Sequence, residues 1–330
     1  MNKIDTQSVA IGVDLGGTNL RTGIVDQRGN ILKSLKRQSQ AKEGKENVIN
    51  RITDLLIEAC SISNEFQREV KGICIGAPGF LNIKKGIISE SPNLPGWKDV
   101  ALKKEIEKRR NFPPIVLQND ANCFTFGEWW TGAGNGYKNI AGITLGTGVG
   151  GGVILGNRIW LGDDGTAGEI GHIIVEPSGL KCECGRNGCL ESYASGTAIV
   201  KQAVQALKKG EISTLKNRVK ENLNAITAKM VSEEAAKGDR LSLDIMNEAG
   251  RYLGIAIASI INLLNIGRFV IGGRVAGSGD SILEPAREEV LKRAINPPIK
   301  DQVIVQARLG DDAGIIGAAG MIFHNGYSES

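Results

Sequence analysis

Residues Val9–Ile31 read VAIGVDLGGTNLRTGIVDQRGNI, and residues Ile140–Trp160 read IAGITLGTGVGGGVILGNRIW. Each stretch opens on an apolar run (Val9–Asp14; Ile140–Leu145) that ends in a glycine-threonine turn (Gly16-Gly17-Thr18; Gly146 to Gly152). Each returns through a second apolar run (Leu20–Val25; Val153–Leu155) and turns again on polar residues (Asp26–Asn30; Gly156-Asn157). A third run follows, from Ile31 in one and over Arg158–Trp160 in the other. Short apolar runs punctuated by Gly, Asn and Asp read as strands, so each stretch predicts a β-meander. The same order recurring about 130 residues later predicts a duplicated α/β unit: two lobes, each presenting one glycine hairpin to a shared cleft. Chance similarity of two glycine-rich meanders is the alternative.

Outward from these stretches, Val48, Ile52, Leu55, Leu56 and Ala59 have helical spacing around Asn47–Ser61. A strand over Gly72–Gly76 runs into Ala77-Pro78-Gly79, and Asp99–Arg110 reads as helix. Ile115–Leu117 is a short strand that delivers Gln118-Asn119-Asp120-Ala121-Asn122. A mostly helical region spans about Gly196 to Asn265 and ends in the strand Arg268–Ile271 and the turn Gly272-Gly273-Arg274. Gly314–Phe323 is a helix of small and apolar residues. At 330 residues the chain exceeds the size at which one core usually keeps growing, so two domains are expected.

Composition excludes several classes. Hydrophobic residues make up 41% and charged residues 23%, which is ordinary for a globular protein. The densest basic stretch, KKEIEKRR over Lys103–Arg110, includes two glutamates and reads as a solvated helix face rather than a nucleic-acid patch. The most apolar stretch, Tyr252–Ile266, carries Ser259, Asn262 and Asn265, so a buried helix is expected and no membrane span. No signal-peptide core opens the chain, and a cytoplasmic location is expected. Cys60, Cys74 and Cys123 stand in apolar settings and are expected to be buried thiols, not members of a secreted disulfide framework.

The glycine turns invite a phosphate. Gly146-Thr147-Gly148-Val149-Gly150-Gly151 matches the dinucleotide fingerprint formally, but that fingerprint requires a helix directly after the glycines and a hairpin follows here. A phosphate-binding hairpin fits better: missing Cβ atoms let backbone N–H groups reach phosphate oxygens, and Thr18 and Thr147 add hydroxyl donors. Asp14, ending the first strand, is placed to hold Mg2+ through water. Gly272 and Gly273, before Arg274, would lie against the nucleoside. For each turn a plain tight connection is the alternative.

The other chemistry lies in EIGHIIVEPSGLKCECGRNGCLE over Glu169–Glu191. His172, Cys182, Cys184 and Cys189 form a closed tetrahedral zinc set with no open position, which predicts structural Zn2+; three unpaired cysteines in an ordinary polar loop are the alternative. Glu169 and Glu191 bracket it, and these carboxylates with His172 suit a polyol. Asp120 ends a strand and begins an expected helix. It can accept a proton from a hydroxyl nucleophile in phosphoryl transfer, or it can be no more than a helix N-cap.

DLGGTN (Asp14–Asn19), NDAN (Asn119–Asn122), LGTGVGGG (Leu145–Gly152), EIGH (Glu169–His172) and CECGRNGCLE (Cys182–Glu191), taken together and in this order, resemble the ROK family of sugar kinases and sugar-responsive repressors. SPNLPGWKDV (Ser91–Val100) is most similar to its glucokinase branch. The resemblance implies an actin-like, hexokinase-type α/β fold of two ribonuclease-H-like lobes around a cleft. The expected limits are 1–118 for a small lobe, completed by a C-terminal helix at 314–330, and 119–313 for a large lobe with the zinc loop and the helical region. The implied activity is ATP-dependent phosphorylation of D-glucose to glucose 6-phosphate, with Asp120 as base. Pro78, Gly79, Asn93, Asn119, Asp120, Glu169, His172 and Glu191 are implied to contact the sugar. Asp14, Gly16, Gly17, Thr18, Asn19, Thr147, Gly148, Gly272 and Gly273 are implied to hold the nucleotide with Mg2+. The partners are then glucose and ATP, without nucleic acid or membrane, in a homodimer or dimer of dimers. A kinase for N-acetylmannosamine, N-acetylglucosamine or fructose is the alternative. A non-catalytic sugar-sensing regulator is the remote one, since the stretch before the first strand is too short for a helix-turn-helix.

Overall fold

The computed structural model describes residues 7–91, 93–297 and 303–324. It falls into two compact units: Met1–Lys138 with Gly152–Gly168 and Arg308–Ser330, and Asn139–Gly151 with Glu169–Ala307. These bounds differ from the expected limits at 118/119 and 313/314, chiefly because residues 119–138 and 152–168 belong to the first unit. Of the expected C-terminal segment, 325–330 lies outside the described residues.

In the first unit, β1 (Ser8–Leu15), β2 (Asn19–Asp26) and β3 (Ile31–Gln38) form the antiparallel meander. Strands β4 (Glu69–Ala77) and β8 (Ile115–Asn119) extend it in parallel, giving the order β3-β2-β1-β4-β8. Alternation decides the two faces of β1. Val9, Ile11 and Val13 share a core with Val48, Ile49, Ile52, Leu55 and Leu56 of helix α1 (Lys45–Glu65). Gly12 faces the opposite way, and a Cβ there would lie 1.9 Å from the carbonyl oxygen of Ile315.

Ile315 belongs to the C-terminal helix, which spans Ala313–Phe323 and buries nearly every side chain. Its AGIIGAAG sequence supplies too little bulk to hold neighbours at ordinary helix spacing. A Cβ on Gly317 would sit 1.7 Å from the carbonyl of Cys123, in the helix Asp120–Trp130. This backbone-to-backbone packing draws the Asp120–Trp130 helix into the first unit. Cys74 and Cys123 are buried as expected, whereas Cys60 is only half-buried, packed at the edge of the core that α1 covers.

A three-stranded sheet was not foreseen: β5 (Phe80–Asn82), β6 (Ile87–Glu90) and β7 (Lys98–Val100). Its last strand takes the start of the expected 99–110 helix. Val100 pairs with Ile88, and helix α2 is confined to Leu102–Arg109.

The second meander is also present. β9 (Ile140–Leu145), β10 (Val149–Leu155) and β11 (Arg158–Ile159) join β12 (Phe269–Gly272) and β13 (Ile304–Gln306) in the order β11-β10-β9-β12-β13. The second sheet thus repeats the strand order of the first, and β12 runs parallel to both β9 and β13. The duplicated unit read from the two glycine turns is realised in topology.

Helices make up much of the rest of the second unit. Among them Arg240–Leu264 buries Tyr252, Leu253, Ala256, Ile257, Ile260 and Ile261, while Leu263 near its end is exposed. No described helix is long and apolar enough to cross a membrane.

Candidate active site

The first unit gathers its site residues at the strand ends. β1 delivers Asp14, and the turn after it is closed by the Gly16 N–H donating to the Asn19 carbonyl at 2.9 Å. Gly17 needs its missing Cβ, which would stand 2.6 Å from the carbonyl oxygen of Asn93. Thr18 is exposed and Asn19 opens β2.

Pro78 is buried after β4, and the amide of Asn119 donates to the Gly79 carbonyl at 3.4 Å. Gly79, Asn93, Asn119, Asp120 and Asp14 therefore all belong to one compact body. Pro92, within the SPNLPGWKDV stretch, lies outside the described residues.

The two readings of Asp120 separate here. Asp120 is the first residue of helix α3 (Asp120–Trp130), and the N-cap is Asn119. The Asn119 side chain accepts from the N–H groups of Ala121 at 2.9 Å and Asn122 at 3.3 Å. Asp120 Oδ1 also accepts from Ala121 N–H, at 2.8 Å, which leaves Oδ2 uncommitted to the cap. Burial raises the Asp120 carboxyl above its usual range, against backbone hydrogen bonds from Ala121 and its own N–H.

Asp14 is raised to about 6, first by burial and then by the charge of Asp120; Arg21 opposes this and Asp311 adds to it. Two carboxylates that feel each other in a partly dry setting favour a cation and a proton donor between them.

Sequence reading missed Asp311. It lies on the turn before the C-terminal helix, with its carbonyl held by the Arg21 guanidinium, which also pairs with Asp312 at 2.5 Å. No motif marks that turn. Only the fold brings it beside β1.

In the second unit, a strand follows the turn Gly146-Thr147-Gly148, as expected of a hairpin and not of a dinucleotide fold. The two glycines do different things. A Cβ on Gly146 would meet only the Gly148 carbonyl oxygen, at 4.0 Å, while a Cβ on Gly148 would lie 2.4 Å from Glu191 Oε2. That same oxygen accepts the Val149 N–H at 2.8 Å. The turn is also tied to helix α5 (Gly196–Lys208): Gly196 N–H donates to the Gly146 carbonyl at 2.8 Å, and the Thr197 hydroxyl to the Thr147 carbonyl at 2.8 Å. Thr197 carried no sequence signal. Gly272 ends β12, and Gly273 has φ 89 with no room for a Cβ against the Leu145 carbonyl. Arg274 beside it is exposed.

His172 Nδ1, and the Sγ atoms of Cys182, Cys184 and Cys189, all lie within 4.8 Å of one another. Cys184 and Cys189 have their sulfurs 3.6 Å apart, and Cys182 Sγ is 3.9 Å from His172 Nδ1. A disulfide would bring sulfurs to about 2.05 Å, whereas tetrahedral ligands about 2.3 Å from one ion are about 3.8 Å apart. The donor set therefore fits a tetrahedral cation.

The loop reaches this geometry through Gly188, at φ 77, where a Cβ would collide with the Glu176 carbonyl at 1.8 Å. Burial opposes the Cys184 thiolate, but hydrogen bonds from Arg186 and the neighbouring cysteines outweigh it and lower that thiol to about 7. Burial and the Cys184 contact push Cys189 up to about 12. His172 ends the short turn Ile170–His172 that follows Glu169, and Glu191 opens the helical turn Glu191–Ala194.

The profile of the ROK family matches residues 10–325. The chain belongs to the ROK family. A glucokinase of Thermotoga maritima is 38% identical over 312 residues, covering 94% of this chain and 96% of that relative. The crystal structure of a ROK family glucokinase from Streptomyces griseus in complex with glucose and AMPPNP is 35% identical, with a TM-score of 0.80 over 95% of this chain and 99% of that one. A ROK hexokinase from Thermus thermophilus also gives a TM-score of 0.80, at 31% identity over 96% and 98% of the two chains. The ROK chain described here accordingly has the actin-like, hexokinase-type fold, and its two equal strand orders are the two ribonuclease-H-like halves.

Proposed function

We propose that this chain phosphorylates D-glucose with ATP, giving glucose 6-phosphate and ADP. The observation that carries the chemistry is Asp120: its neighbour Asn119 caps the helix, so the carboxylate remains available as a base. In the proposed step the sugar 6-hydroxyl gives its proton to Asp120, its oxygen bonds to the γ-phosphorus, and the bond to the β-phosphate oxygen breaks as ADP leaves. Glucose as substrate is supported by the glucokinase relatives at 35–38% identity.

Pro78, Gly79, Asn93 and Asn119 from the first unit, and Glu169, His172 and Glu191 from the second, are proposed to contact the sugar. Asp14, Gly16, Gly17, Thr18, Asn19, Thr147, Gly148, Gly272 and Gly273 are proposed to hold the nucleotide. Asp14 is suited to hold Mg2+ through water, and that cation supplies neutralisation of phosphate charge. Zn2+ is proposed on His172, Cys182, Cys184 and Cys189 as a fastening for the loop between the sugar residues. The reading also includes a cytoplasmic enzyme acting as a homodimer or dimer of dimers.

An ADP-release assay across glucose, mannose, fructose, N-acetylglucosamine and N-acetylmannosamine, with ATP and polyphosphate as donors, tests it. Glucose with ATP should give the highest kcat/KM. A larger value for an N-acetyl sugar or fructose overturns the substrate, and no turnover of any sugar overturns the kinase reading.

A further inference from the structure

Glu128 is a fully buried carboxylate in the last turn of α3, and none of the roles above uses it. It carries no ion pair among the described residues. Its oxygens instead accept backbone N–H groups from two other segments. Ala133 N–H donates to Oε2 at 2.7 Å, Leu309 N–H to Oε1 at 2.7 Å, and Arg308 N–H to the two oxygens at 3.0 and 3.1 Å. A helix-borne acid thus holds down the first two residues of the segment that leads into the C-terminal helix, about 180 residues away in sequence. The far end of that turn is held by Arg21, through the Asp311 carbonyl and the Asp312 carboxylate.

Between these two fastenings stands Asp311, whose charge bears on Asp14. The turn then enters the C-terminal helix at Gly314, where a Cβ would be 3.8 Å from Asp14 Cβ. Arg21 in turn is the register partner of Asp14 across β1 and β2. The turn 308–314 is therefore one wall of the space around Asp14, and Glu128 sets its height.

We propose that Glu128 is a positioning residue for the nucleotide–metal side of the site: by accepting the Arg308 and Leu309 N–H groups it fixes the turn that flanks Asp14. This rests on the reading of Asp14 as a nucleotide–metal residue. A buried acceptor that must face three donors cannot be replaced by an amide, because one of the two positions becomes an N–H₂ group pointing at N–H groups. The hydrogen bonds of the Glu128 carboxylate go to Ala133, Arg308 and Leu309 and to no residue of the sugar-side set, so the effect is expected on one substrate.

The test compares Glu128→Gln with the parent by calorimetric titration of MgADP and of glucose, with steady-state kinetics alongside. The expected result is a rise of about tenfold in the MgADP dissociation constant and in KM for MgATP, with glucose affinity within about twofold of the parent. Hydrogen exchange at Arg308 and Leu309 reads the clamp itself and should accelerate. Arg308→Ala removes a side-chain tie to the Thr131 carbonyl but leaves the Glu128 bonds, so it should lower Tm while keeping MgADP affinity.

A Glu128→Gln protein with lowered Tm and unchanged MgADP affinity overturns the proposal, since that is the signature of a merely structural acid. If Glu128→Gln does not fold, Glu128→Asp retains the charge on a shorter stem and should show a smaller MgADP defect; unchanged affinity there overturns it equally. A parent that binds MgADP but turns over no glucose defeats the proposed reaction and leaves the Glu128 comparison standing.

Discussion

Asp120→Asn separates a base from a helix cap, and the structure gives the expected size of each effect. A positioned base contributes roughly 10²–10⁴ to the rate, so kcat should fall by at least about a hundredfold. Stability should hardly move. Asn119 retains the cap through Ala121 and Asn122, and an asparagine at 120 can still accept the Ala121 N–H through its own oxygen. The variant loses a negative charge in the first helical turn, worth about 0.3–1 kcal/mol. It also sheds a buried charge and the repulsion between residue 120 and Asp14. These effects oppose one another, so the net change stays within about 1 kcal/mol, or no more than about 4 °C in Tm. Glucose affinity should remain within about threefold, because with its oxygen kept on the Ala121 N–H the amide still offers an N–H₂ group that can donate to a sugar hydroxyl oxygen. The assay is kcat by coupled ADP release, with glucose titration and thermal unfolding on the same samples. A kcat within tenfold of the parent would refute the base. A fall in Tm well beyond that range, with kcat and sugar binding lost together, would show that Asp120 serves the helix instead.

The remaining predictions concern the other fixed points. Asp14 titrates near 6 in the folded chain and at 3.8 as a free group, so the folded state binds the extra proton. Stability should therefore fall, not rise, as pH climbs through this window, by at most about 3 kcal/mol. Asp14→Asn should flatten that slope in urea unfolding at pH 4.5 and 7, and an unchanged slope assigns it to other groups. MgADP affinity of the parent should rise over the same window, since the cation needs the carboxylate. Cys184→Ser should raise KM for glucose far more than KM for ATP, and metal-stripped protein with full glucose affinity would show the cluster to be irrelevant to the sugar. Gly148→Ala places a Cβ against Glu191 and should raise KM for both substrates, whereas Gly146→Ala meets only the Gly148 carbonyl oxygen at 4.0 Å and should leave glucose alone; equal effects of the two would contradict the different surroundings of these glycines.

What could be read from the sequence was whatever repeats or clusters locally. The two meanders announced themselves because glycine turns and apolar runs are contiguous, and their shared order forecast the shared sheet order. The ligand set was legible because four soft donors sit in a short span, with one of only two histidines among them. Asp120 was visible but ambiguous. Which of two adjacent residues takes the N-cap is a matter of one residue that propensity does not resolve; the structure gives the cap to Asn119, and the base role of Asp120 stays a proposal. β7 was lost to a helical pattern because a three-residue strand is too short to show a period, and its pairing with β6 is a tertiary fact. Asp311, Thr197 and Glu128 were invisible for a different reason. Each works through a partner far along the chain: Glu128 through residues 308 and 309, Thr197 through Thr147, and Asp311 through Arg21.

Glu191 shows what such long-range contacts do to the separate assignment of sites. From sequence it belongs to the sugar set, because it closes the cysteine motif. In the fold its Oε2 accepts the Val149 N–H of the second glycine turn at 2.8 Å, and its Oε1 lies 4.0 Å from Cys182 Sγ. One carboxylate thus leans on the cysteine loop with one oxygen and on the second glycine turn with the other. The absence of a Cβ at Gly148 is what lets it do so, which gives that glycine a reason distinct from phosphate approach. A Cβ on Gly146 would meet only the Gly148 carbonyl oxygen, at 4.0 Å, so phosphate approach is the role proposed for that glycine alone. The three features that looked independent along the chain, the ligand set, the bracketing glutamate and the second glycine turn, are therefore joined by hydrogen bonds within one unit. A change in the loop that carries Cys182 has a direct mechanical route to the Val149 amide, so on the proposed reading the glycine turn is not a nucleotide platform indifferent to the cysteine loop.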